Sequence, residues 1–457
     1  MIVRSTGKAM LLATTAFTSV ALPLAAAQAG GFAIRQQSAY YQGMVFAGSA
    51  AGGGPSISSM FWNPATMTQA GFGITTESAY TGILGNSTIR ADAATNAAVP
   101  GLLGLGGSGN IADEALVPTS YLVWRPSKDW AFGVAMNAAY GLTTDPSQLW
   151  AGMFYSRQSK VTSINLTPQA AYQVNEWISV GVGAQMQYMR VRLDQAFPGS
   201  TLGGGFGDPD TLRLDAEGFG FGVTAGVTLT PTPWTTIGLG YRSRINQHVE
   251  GEVRRPGFVI PPPPAPTIVP AAIVGAEARL PLPDSVTLSI RQKVTESFTL
   301  LATGEWTNWS RFGTIGLTTN PPGVPGVPTE LPFEWRDGWF ASVGAEYQLD
   351  PSLIVRTGVG FERSPISDGT RTTRLPDNDR VWVGAGLSYN WSQKLAFDLG
   401  YTHIFVKDAP INLVAGHPSF NPALGTFVGL GETQIDIISV GIRYKWGAAA
   451  APLVTKG

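Results

Sequence analysis

The feature that most constrains this chain is an alternation of apolar residues with small or polar residues, which returns many times along the sequence. From Ala341 to Leu349 every odd position is apolar, whereas the even positions between them are Ser, Gly, Glu and Gln. Similar alternation occurs at 178–188, 381–390 and 395–402. A period of two is typical of β-strands that bury only one face. Such strands build either a soluble β-sandwich or a membrane β-barrel with lipid outside and a polar interior.

The lengths of the connections favour the barrel. We count fourteen candidate strands between residues 71 and 446, and turns of two or three residues alternate with much longer loops such as 84–115 and 251–277. An even strand number with short periplasmic turns and long external loops is typical of outer-membrane barrels. We therefore predict an all-β membrane fold, an antiparallel transmembrane β-barrel of about fourteen strands over 71–446. Six tryptophans at the short-turn ends fit the aromatic girdle of such a barrel: Trp124, Trp130, Trp177, Trp234, Trp391 and Trp446.

Composition excludes several other classes of protein. Charged residues are 13% of the chain, against about 25% in soluble domains, and the net charge is -1. A surface without excess positive charge gives no reason to expect a nucleic-acid partner. The mean hydropathy of +0.08 is lower than a set of apolar transmembrane helices would produce. The chain contains no cysteine, which excludes disulfides and cysteine metal sites.

Residues 1–29 have the features of a signal peptide. Arg4 and Lys8 give a basic start, 9–27 is an apolar run, and a small-residue cleavage site ends at Ala29. The alternative is an uncleaved membrane anchor. Export followed by barrel insertion predicts the outer membrane of a Gram-negative-type envelope as the location. We expect 447–457, after the last strand, to be a short periplasmic tail.

Residues 30–70 precede the first strand and do not follow the strand pattern. They contain too many aromatic and aliphatic residues for a solvated leader. The glycine-rich stretch 47–54 permits close approach of backbone segments. We predict that 30–70 forms a plug, or hatch, inside the barrel lumen. A disordered leader is the alternative.

The outer loops are apolar where a channel for polar solutes would be hydrophilic. The loop 142–158 carries five large apolar residues that we predict to contact a ligand: Leu149, Trp150, Met153, Phe154 and Tyr155. Exposed apolar patches often mark binding surfaces, although the same residues would also pack on one another as a lid. Arg157 and Lys160 follow this stretch and are candidate contacts for a carboxylate head group or for lipopolysaccharide phosphates.

Several motifs, in their order along the chain, resemble the FadL/TodX family of outer-membrane transporters of hydrophobic compounds. They are Gly30-Gly31-Phe32, Trp62-Asn63-Pro64-Ala65, Ala139-Tyr140-Gly141-Leu142, Glu305-Trp306-Thr307-Asn308-Trp309-Ser310, Arg374-Leu375-Pro376-Asp377-Asn378-Asp379-Arg380 and Leu399-Gly400-Tyr401-Thr402-His403. The resemblance covers almost all of the chain after residue 29. It implies a fourteen-stranded barrel closed by an N-terminal hatch, carrying long-chain fatty acids or aromatic hydrocarbons across the outer membrane.

The resemblance also implies roles for particular residues. Tyr140 and Gly141 match the place where the third strand kinks inward in that family and opens a lateral window in the wall. The structural alternatives are a simple turn at Asn63 and ordinary lumen packing at Tyr140. The hatch and gating residues that the resemblance implies are Gly30, Gly31, Phe32, Ala33, Ile34, Asn63, Pro64 and Ala65.

The expected function is passive uptake of hydrophobic molecules, above all long-chain fatty acids. Loops capture the ligand, the ligand displaces the hatch, and it leaves sideways through the barrel wall. The expected partners are the ligand, outer-membrane lipid and lipopolysaccharide, and we expect a monomer without cofactor or metal. The alternatives are an aromatic-hydrocarbon channel of the same family, a general diffusion porin and an adhesion barrel. No enzyme is expected, because the sequence places no nucleophile beside His248, His403 or His417.

Overall fold

The computed structural model describes residues 30–97, 105–198, 210–260 and 267–446. The predicted signal peptide 1–29 and the predicted tail 447–457 lie outside these residues. Among the residues described, none of the helices has the length and apolar character needed to cross a membrane, a finding that does not bear on crossing by strands.

Fourteen strands form one closed antiparallel barrel, in which each strand pairs with its neighbours in sequence. Their bounds are β1 Gly73–Ala91, β2 Ala115–Arg125, β3 Trp130–Asn137 and Gly141–Thr144, β4 Gln158–Gln173, β5 Ile178–Ala196, β6 Thr211–Thr232, β7 Thr235–Arg242 and Ile245–Arg255, β8 Ala272–Leu282 and Ser285–Lys293, β9 Phe298–Thr307 and Thr314–Asn320, β10 Gly338–Gln348, β11 Leu353–Arg363, β12 Arg380–Asn390, β13 Leu395–Val406 and Ala409–Leu413, and β14 Gly425–Trp446. The barrel closes between β1 and β14, from the pair Ile74–Trp446 to the pair Ala91–Gly429. Closure leaves no open sheet edge facing lipid.

Short elements decorate the loops. The strands Phe258–Ile260 and Thr267–Val269 form a small hairpin, Asn96–Ala97 pairs with β14, and Glu330–Pro332 pairs with β9. The 3-10 helices Trp309–Arg311 and Pro422–Leu424 lie in the break within β9 and before β14.

The alternation predicted from the sequence is present in the barrel wall and confirms the fold class. On β12, Val381 and Val383 point outward and are 45% and 42% exposed, whereas Trp382 between them is fully buried. Five of the six predicted girdle tryptophans have exposed side chains next to the short turns: Trp124, Trp130, Trp177, Trp234 and Trp391. The outward faces are therefore apolar, and a girdle of tryptophan side chains lies along one edge of the apolar band.

Several strands continue further outward than the alternation predicted. β1 ends at Ala91 instead of residue 83, and β14 begins at Gly425 instead of residue 433. The added stretches carry charge on their outward faces, as in the exposed pair Arg90–Glu432. The alternation is visible in the sequence only where the outward side chains are apolar. Beyond the apolar band both sides of the strand carry polar residues, so the sequence no longer shows a period of two.

The hatch, residues 30–70, lies within the barrel and contains one helical turn and two 3-10 helices. Helix α1 spans Ala39–Gln42, and the 3-10 helices span Ser58–Phe61 and Pro64–Gln69. Ser38 caps α1 by accepting a hydrogen bond from the Tyr41 N–H. Large side chains with at most 2% exposure form the centre of the hatch: Tyr40, Tyr41, Met44, Phe46, Met60 and Trp62.

Charged residues of the barrel wall hold the hatch from the side. The Tyr40 hydroxyl donates a hydrogen bond to Glu346, which also pairs with Arg291. The Arg356 guanidinium lies 4.0 Å from the centre of the Tyr40 ring. Arg443 pairs with Asp398 at 2.7 Å on the adjacent wall. Removing one partner of such a buried pair costs about 3–5 kcal/mol, so the pairs within the wall hold in place the groups that contact Tyr40.

Glycines in the wall let the hatch backbone lie directly against the barrel. A Cβ atom added to Gly240 would lie 1.8 Å from the Trp62 carbonyl oxygen, and one added to Gly238 would lie 1.9 Å from that of Ala50. No side chain fits at these positions without moving the hatch.

We expect Gly240→Val to push the hatch away from β7, because the added side chain overlaps the Trp62 carbonyl. Overpacking of this kind costs about 1–3 kcal/mol. The free energy of unfolding by guanidinium in lipid vesicles should fall by that amount, and ion conductance in planar bilayers should rise. Gly304→Val is the matched control, because an added Cβ at Gly304 has no heavy atom within 4 Å. Equal behaviour of the two variants would contradict the proposed close contact.

Candidate ligand-binding site and gate

The barrel wall has a break in backbone pairing beside β3. The ladder between β2 and β3 ends at the pair Ser120–Met136. In the described part of the chain, the next pairing toward the outside is the isolated bridge Ala112–Thr144. β3 itself is interrupted at 138–140. Over this stretch the wall lacks the continuous hydrogen bonding that seals a barrel in lipid.

The interrupting residues turn toward the lumen. The Tyr140 ring lies 5.8 Å from the Phe32 ring, and its hydroxyl donates a long hydrogen bond of 3.4 Å to the Pro283 carbonyl, in the break within β8. The Ser163 hydroxyl replaces the strand-to-strand hydrogen bonds that Tyr140 lacks. Its Oγ accepts from the Tyr140 N–H at 3.0 Å and donates to the Tyr140 carbonyl at 2.6 Å. Backbone groups that the kink frees from the sheet are thereby paired.

The first residues of the hatch fill the break as an extra strand segment. The Ile34 N–H donates to the Ala139 carbonyl at 2.9 Å, and the Gly141 N–H donates to the Phe32 carbonyl at 2.8 Å. Ala33 and Tyr140 lie opposite each other in this antiparallel bridge. The segment Gly30–Ile34, which we call the N-terminal segment, therefore pairs with β3 at the kink.

Acidic residues bind the start of the N-terminal segment. The Gly30 N–H donates to Glu362 and the Gly31 N–H donates to Asp377, each at 3.2 Å. Gly31 has a φ of 65°, and a Cβ there would lie 2.9 Å from the Trp335 ring, so this position requires glycine. Arg35 at the other end donates to Glu305 at 2.8 Å.

An apolar cavity lies on the outer side of the N-terminal segment. Its volume is about 80 Å³, and aliphatic side chains of β4, β5, β7 and β8 form its sides. Phe32 forms its floor within an aromatic cluster, with ring centres 5.0 to 5.8 Å from those of Tyr140, Trp309, Phe312 and Trp335. Binding pockets for small molecules usually measure about 300–1,000 Å³. A larger ligand therefore has to displace side chains. Phe32 is the lining residue that belongs to the hatch, whereas the others belong to the barrel strands and their loops.

A second cavity of about 70 Å³ lies on the other side of the N-terminal segment and has a mixed lining that includes charged side chains. Arg35, Arg242, Glu305 and Glu362 line it. Ala33 and Ile34 border this second cavity, whereas Phe32 borders the apolar one. The N-terminal segment thus separates an apolar outer chamber from a charged inner one.

The predicted ligand contacts of loop 142–158 lie in a different place from the cavity lining. Four of them are buried together with Phe427 and Ile411 beneath the outer loops: Trp150, Met153, Phe154 and Tyr155. Leu149 is 49% exposed. In this conformation the four buried residues pack on one another, the lid arrangement that the sequence also allowed. Their contact with ligand stays a prediction.

The two predicted head-group contacts do not line the cavity in this conformation. Arg157 is buried and donates to the Thr211 hydroxyl at 3.0 Å. Lys160 points to the opposite side of β4 from Ser159 and Val161, which line the cavity. The sequence already indicates that Lys160 faces outward. It lies an even number of residues from the lipid-facing Leu166 on the same strand. Their role in head-group binding remains a prediction.

Asn63, Pro64 and Ala65 attach the inner part of the hatch to the wall. The Asn63 side chain donates to the Ala50 carbonyl at 2.7 Å and to the Val227 carbonyl of β6 at 3.0 Å. It also accepts from the Ala65 N–H at 3.0 Å, as the cap of the 3-10 helix that begins at Pro64. A structural role is thus visible, and a gating role for these three residues stays a prediction.

Arg374 is a cavity residue that the sequence analysis did not assign to ligand. It lies in the loop between β11 and β12 and lines the apolar cavity beside Ser159 and Leu375. Burial lowers the pKa of Arg374 to about 10, and Asp194 opposes this shift. At neutral pH the guanidinium is therefore charged. The sequence motif Arg374–Arg380 already showed arginines in this loop. Which of them points into the cavity depends on the path of the folded loop.

A third group of side chains has the composition of a metal site but lies elsewhere. His248, Glu250 and Glu277 face outward on β7 and β8, with ligand atoms within 4.8 Å of one another. Both carboxylates are exposed. Glu277 also borders the apolar cavity, but the carboxylates are exposed on the outer side of the wall, and we assign the group no metal.

A closed barrel with an internal hatch and an apolar chamber defines an outer-membrane transport protein. The family described as outer membrane protein transport protein (OMPP1/FadL/TodX) matches residues 20–445. The chain belongs to this family, whose members transport hydrophobic compounds across the outer membrane and are not enzymes. The protein is accordingly located in the outer membrane.

Individual relatives are distant in sequence. The chain is 26% identical over 318 residues to the 47 kDa outer membrane protein of Pasteurella multocida, covering 65% of this chain and 71% of that protein. It is 25% identical over 319 residues to a long-chain fatty acid transport protein of Escherichia coli, covering 65% and 70%.

Solved structures show the same fold. A FadL homologue of Pseudomonas aeruginosa superposes with a TM-score of 0.77 at 22% identity and covers 92% of this chain and 100% of that one. The toluene transporter TodX of P. putida superposes with a TM-score of 0.65 at 15% identity, covering 90% and 99%.

We expect Phe32→Ala to destabilise the hatch, because the ring is 5% exposed and packs within the aromatic cluster. Truncation of a buried Phe costs about 3–5 kcal/mol. The guanidinium midpoint of unfolding in detergent micelles measures this loss. Phe221→Ala is the control, because Phe221 is 67% exposed on the lipid-facing side of the wall. Its expected loss is smaller, because truncation there leaves no cavity within the protein. Similar losses in the two variants would show that Phe32 does not anchor the segment.

Proposed function

We propose that this protein takes up long-chain fatty acids passively, with the N-terminal segment as the gate. One observation carries the proposal: Phe32 forms the floor of the apolar cavity, and its own carbonyl is bonded to Gly141 in the break of the wall. A ligand chain that enters the cavity competes with the Phe32 ring for the same aromatic cluster. Displacing Phe32 also removes the hydrogen bonds that close the wall at Ala139 and Gly141.

The route follows from the chemistry of the two chambers. Leu149 and the apolar residues around Trp150 first adsorb the molecule at the outer loops, and Arg157 supports that surface through its contact with Met153. The ligand next occupies the apolar cavity. Below it lie the hatch and the charged inner cavity, which an apolar chain avoids. The ligand therefore leaves sideways through the break at Tyr140 and Gly141 into lipid.

The driving force is the transfer of hydrocarbon out of water. Each buried methylene contributes about 0.8 kcal/mol, so binding in the cavity and release into lipid are both favourable relative to water. Transport of this kind is passive, and consumption of the ligand inside the cell sustains net flow. In this scheme Asn63, Pro64 and Ala65 hold the rest of the hatch in place while the N-terminal segment moves.

Uptake of aromatic hydrocarbons is the second candidate. The small volume of the apolar cavity, about 80 Å³, and its aromatic floor favour a compact ring over a long chain in the conformation observed. Structural relatives include proteins described as toluene transporters, whereas several sequence relatives are described as long-chain fatty acid transport proteins.

We also propose that one chain is the working unit and that lipopolysaccharide surrounds it. The barrel closes on itself within one chain. Arginines face outward beyond the apolar band, where lipopolysaccharide phosphates would lie: Arg90, Arg190, Arg254 and Arg279.

Uptake by matched cells with and without the protein tests the substrate class. We expect labelled oleate to enter faster when the protein is present, because its chain fits the apolar route. Protein-dependent entry of toluene without oleate would support the aromatic alternative. A labelled disaccharide is the control, and faster entry of the sugar alone would contradict both and indicate a diffusion porin.

A disulfide between the N-terminal segment and the wall tests the gate. Ala33 and Tyr140 are a non-hydrogen-bonded pair of an antiparallel bridge. Opposed residues of such a pair have the shorter Cα–Cα separation, which suits a disulfide. The chain has no native cysteine, so Ala33→Cys with Tyr140→Cys gives one defined crosslink. We expect oxidised cells to lose oleate uptake and to regain it after dithiothreitol. Each single variant is a control and should not respond to oxidation. Unchanged uptake by the oxidised double variant would exclude movement of this segment.

A further inference from the structure

The ion-pair partners of the loop between β11 and β12 set one arginine apart. Arg371 pairs with Asp368, and Arg380 pairs with Asp377. Arg374 is bonded to neutral oxygens: the carbonyls of Gln158 and Asp194, the Ser159 hydroxyl and the Gln195 side chain. Among the described residues, no carboxylate oxygen lies within 4.0 Å of its guanidinium nitrogens.

The nearest acidic group is already neutralised. The Asp194 carboxylate pairs with Arg213 at 2.9 Å and lies 3.6 Å from Arg192. Asp194 offers Arg374 its backbone carbonyl, at 3.3 Å. Three of the four bonds of Arg374 are 3.3 to 3.5 Å long, at the weak end of the hydrogen-bond range. Charged side chains in enclosed sites are normally paired. The Arg374 guanidinium therefore has room for an anionic partner.

The position of Arg374 tells where that anion belongs. Arg374 lines the outer part of the apolar cavity, beside the outer end of β4 at Ser159, while Phe32 forms the floor. Thr372 and Ser159 add hydroxyl groups at the same end. The rest of the lining is mostly aliphatic and aromatic. One end of the cavity is thus cationic and polar, and the other end is the hatch.

We propose that Arg374 binds the carboxylate of the cargo, with the hydrocarbon chain pointing inward to Phe32. This inference rests on the proposed uptake function and names the head-group contact within it. Arginine is suited to the role because its planar guanidinium binds a carboxylate through two parallel hydrogen bonds. The backbone of Arg374 is fixed, since its carbonyl accepts from the Thr144 hydroxyl of β3 at 2.9 Å.

The arrangement makes chain length part of recognition. Ser159, next to Arg374, and Thr162, opposite Gly141, are three residues apart on β4. At roughly 3.3 Å per residue this spans about 10 Å. A short acid held at Arg374 ends before Phe32 and leaves the gate closed, whereas a long chain reaches it. The charge selects the carboxylate, and the distance selects the long chain.

Binding of oleate and of methyl oleate to purified protein tests the proposal. The two share one chain, and the ester lacks the negative charge. We expect the unmodified protein to prefer oleate, and Arg374→Met to weaken oleate binding by about ten- to a hundredfold, the range for a hydrogen bond between charged groups. Affinity for methyl oleate should change less than threefold, and Arg374→Lys should keep part of the preference. Arg279→Met removes an exposed, outward-facing charge and serves as the matched control.

The outcomes separate this inference from the proposed function. Equal loss of oleate and methyl oleate in Arg374→Met would make Arg374 a structural residue and overturn the inference. Equal affinity of the unmodified protein for both ligands would overturn it too and leave uptake of hydrophobic molecules standing. Binding of neither ligand by the unmodified protein would overturn both proposals. Butyrate gives a further check: it should fail to displace oleate at concentrations where palmitate does, and equal displacement would contradict the length requirement.

Discussion

Backbone pairing across the break in β3 is the interaction on which the rest of the structure depends. A barrel in lipid has to satisfy every backbone group within the protein, and this wall is interrupted beside Tyr140. The N-terminal segment repairs the interruption by pairing Phe32 and Ile34 with Gly141 and Ala139. A segment of the hatch and not a neighbouring strand makes this pairing, and the proposed gate depends on that difference.

The rest of the hatch contacts the wall in a different way from the N-terminal segment. Buried hydrogen bonds and close backbone contacts fix the centre, as at Tyr40 with Glu346 and at Trp62 with Gly240. The N-terminal segment relies on single hydrogen bonds to Glu362 and Asp377 and on the packing of Phe32.

The sequence predicted the barrel because lipid imposes a pattern on every strand that crosses it, as from Ala341 to Leu349. It predicted the outer ends of β1 and β14 poorly, because Arg90 and Glu432 stand outside lipid, where that pattern ends. Motif resemblance pointed to Phe32 and Tyr140. Arg374 was not identified, because three arginines within ten residues look alike in sequence and differ only in where the folded loop directs them. Period two would have placed Lys160 on the lipid-facing side.

The closing pair of the barrel has a consequence for how the protein is assembled. β1 and β14 come from opposite ends of the chain, so the ring is complete only when the last strand has arrived. The hatch precedes β1 and contacts strands on several sides, for example Thr402 of β13 through Gln42 and Val227 of β6 through Asn63. Inserting it afterwards would mean threading a folded segment past its own side-chain contacts. The contacts of the hatch on several sides are therefore compatible with its enclosure at the stage when β1 and β14 pair.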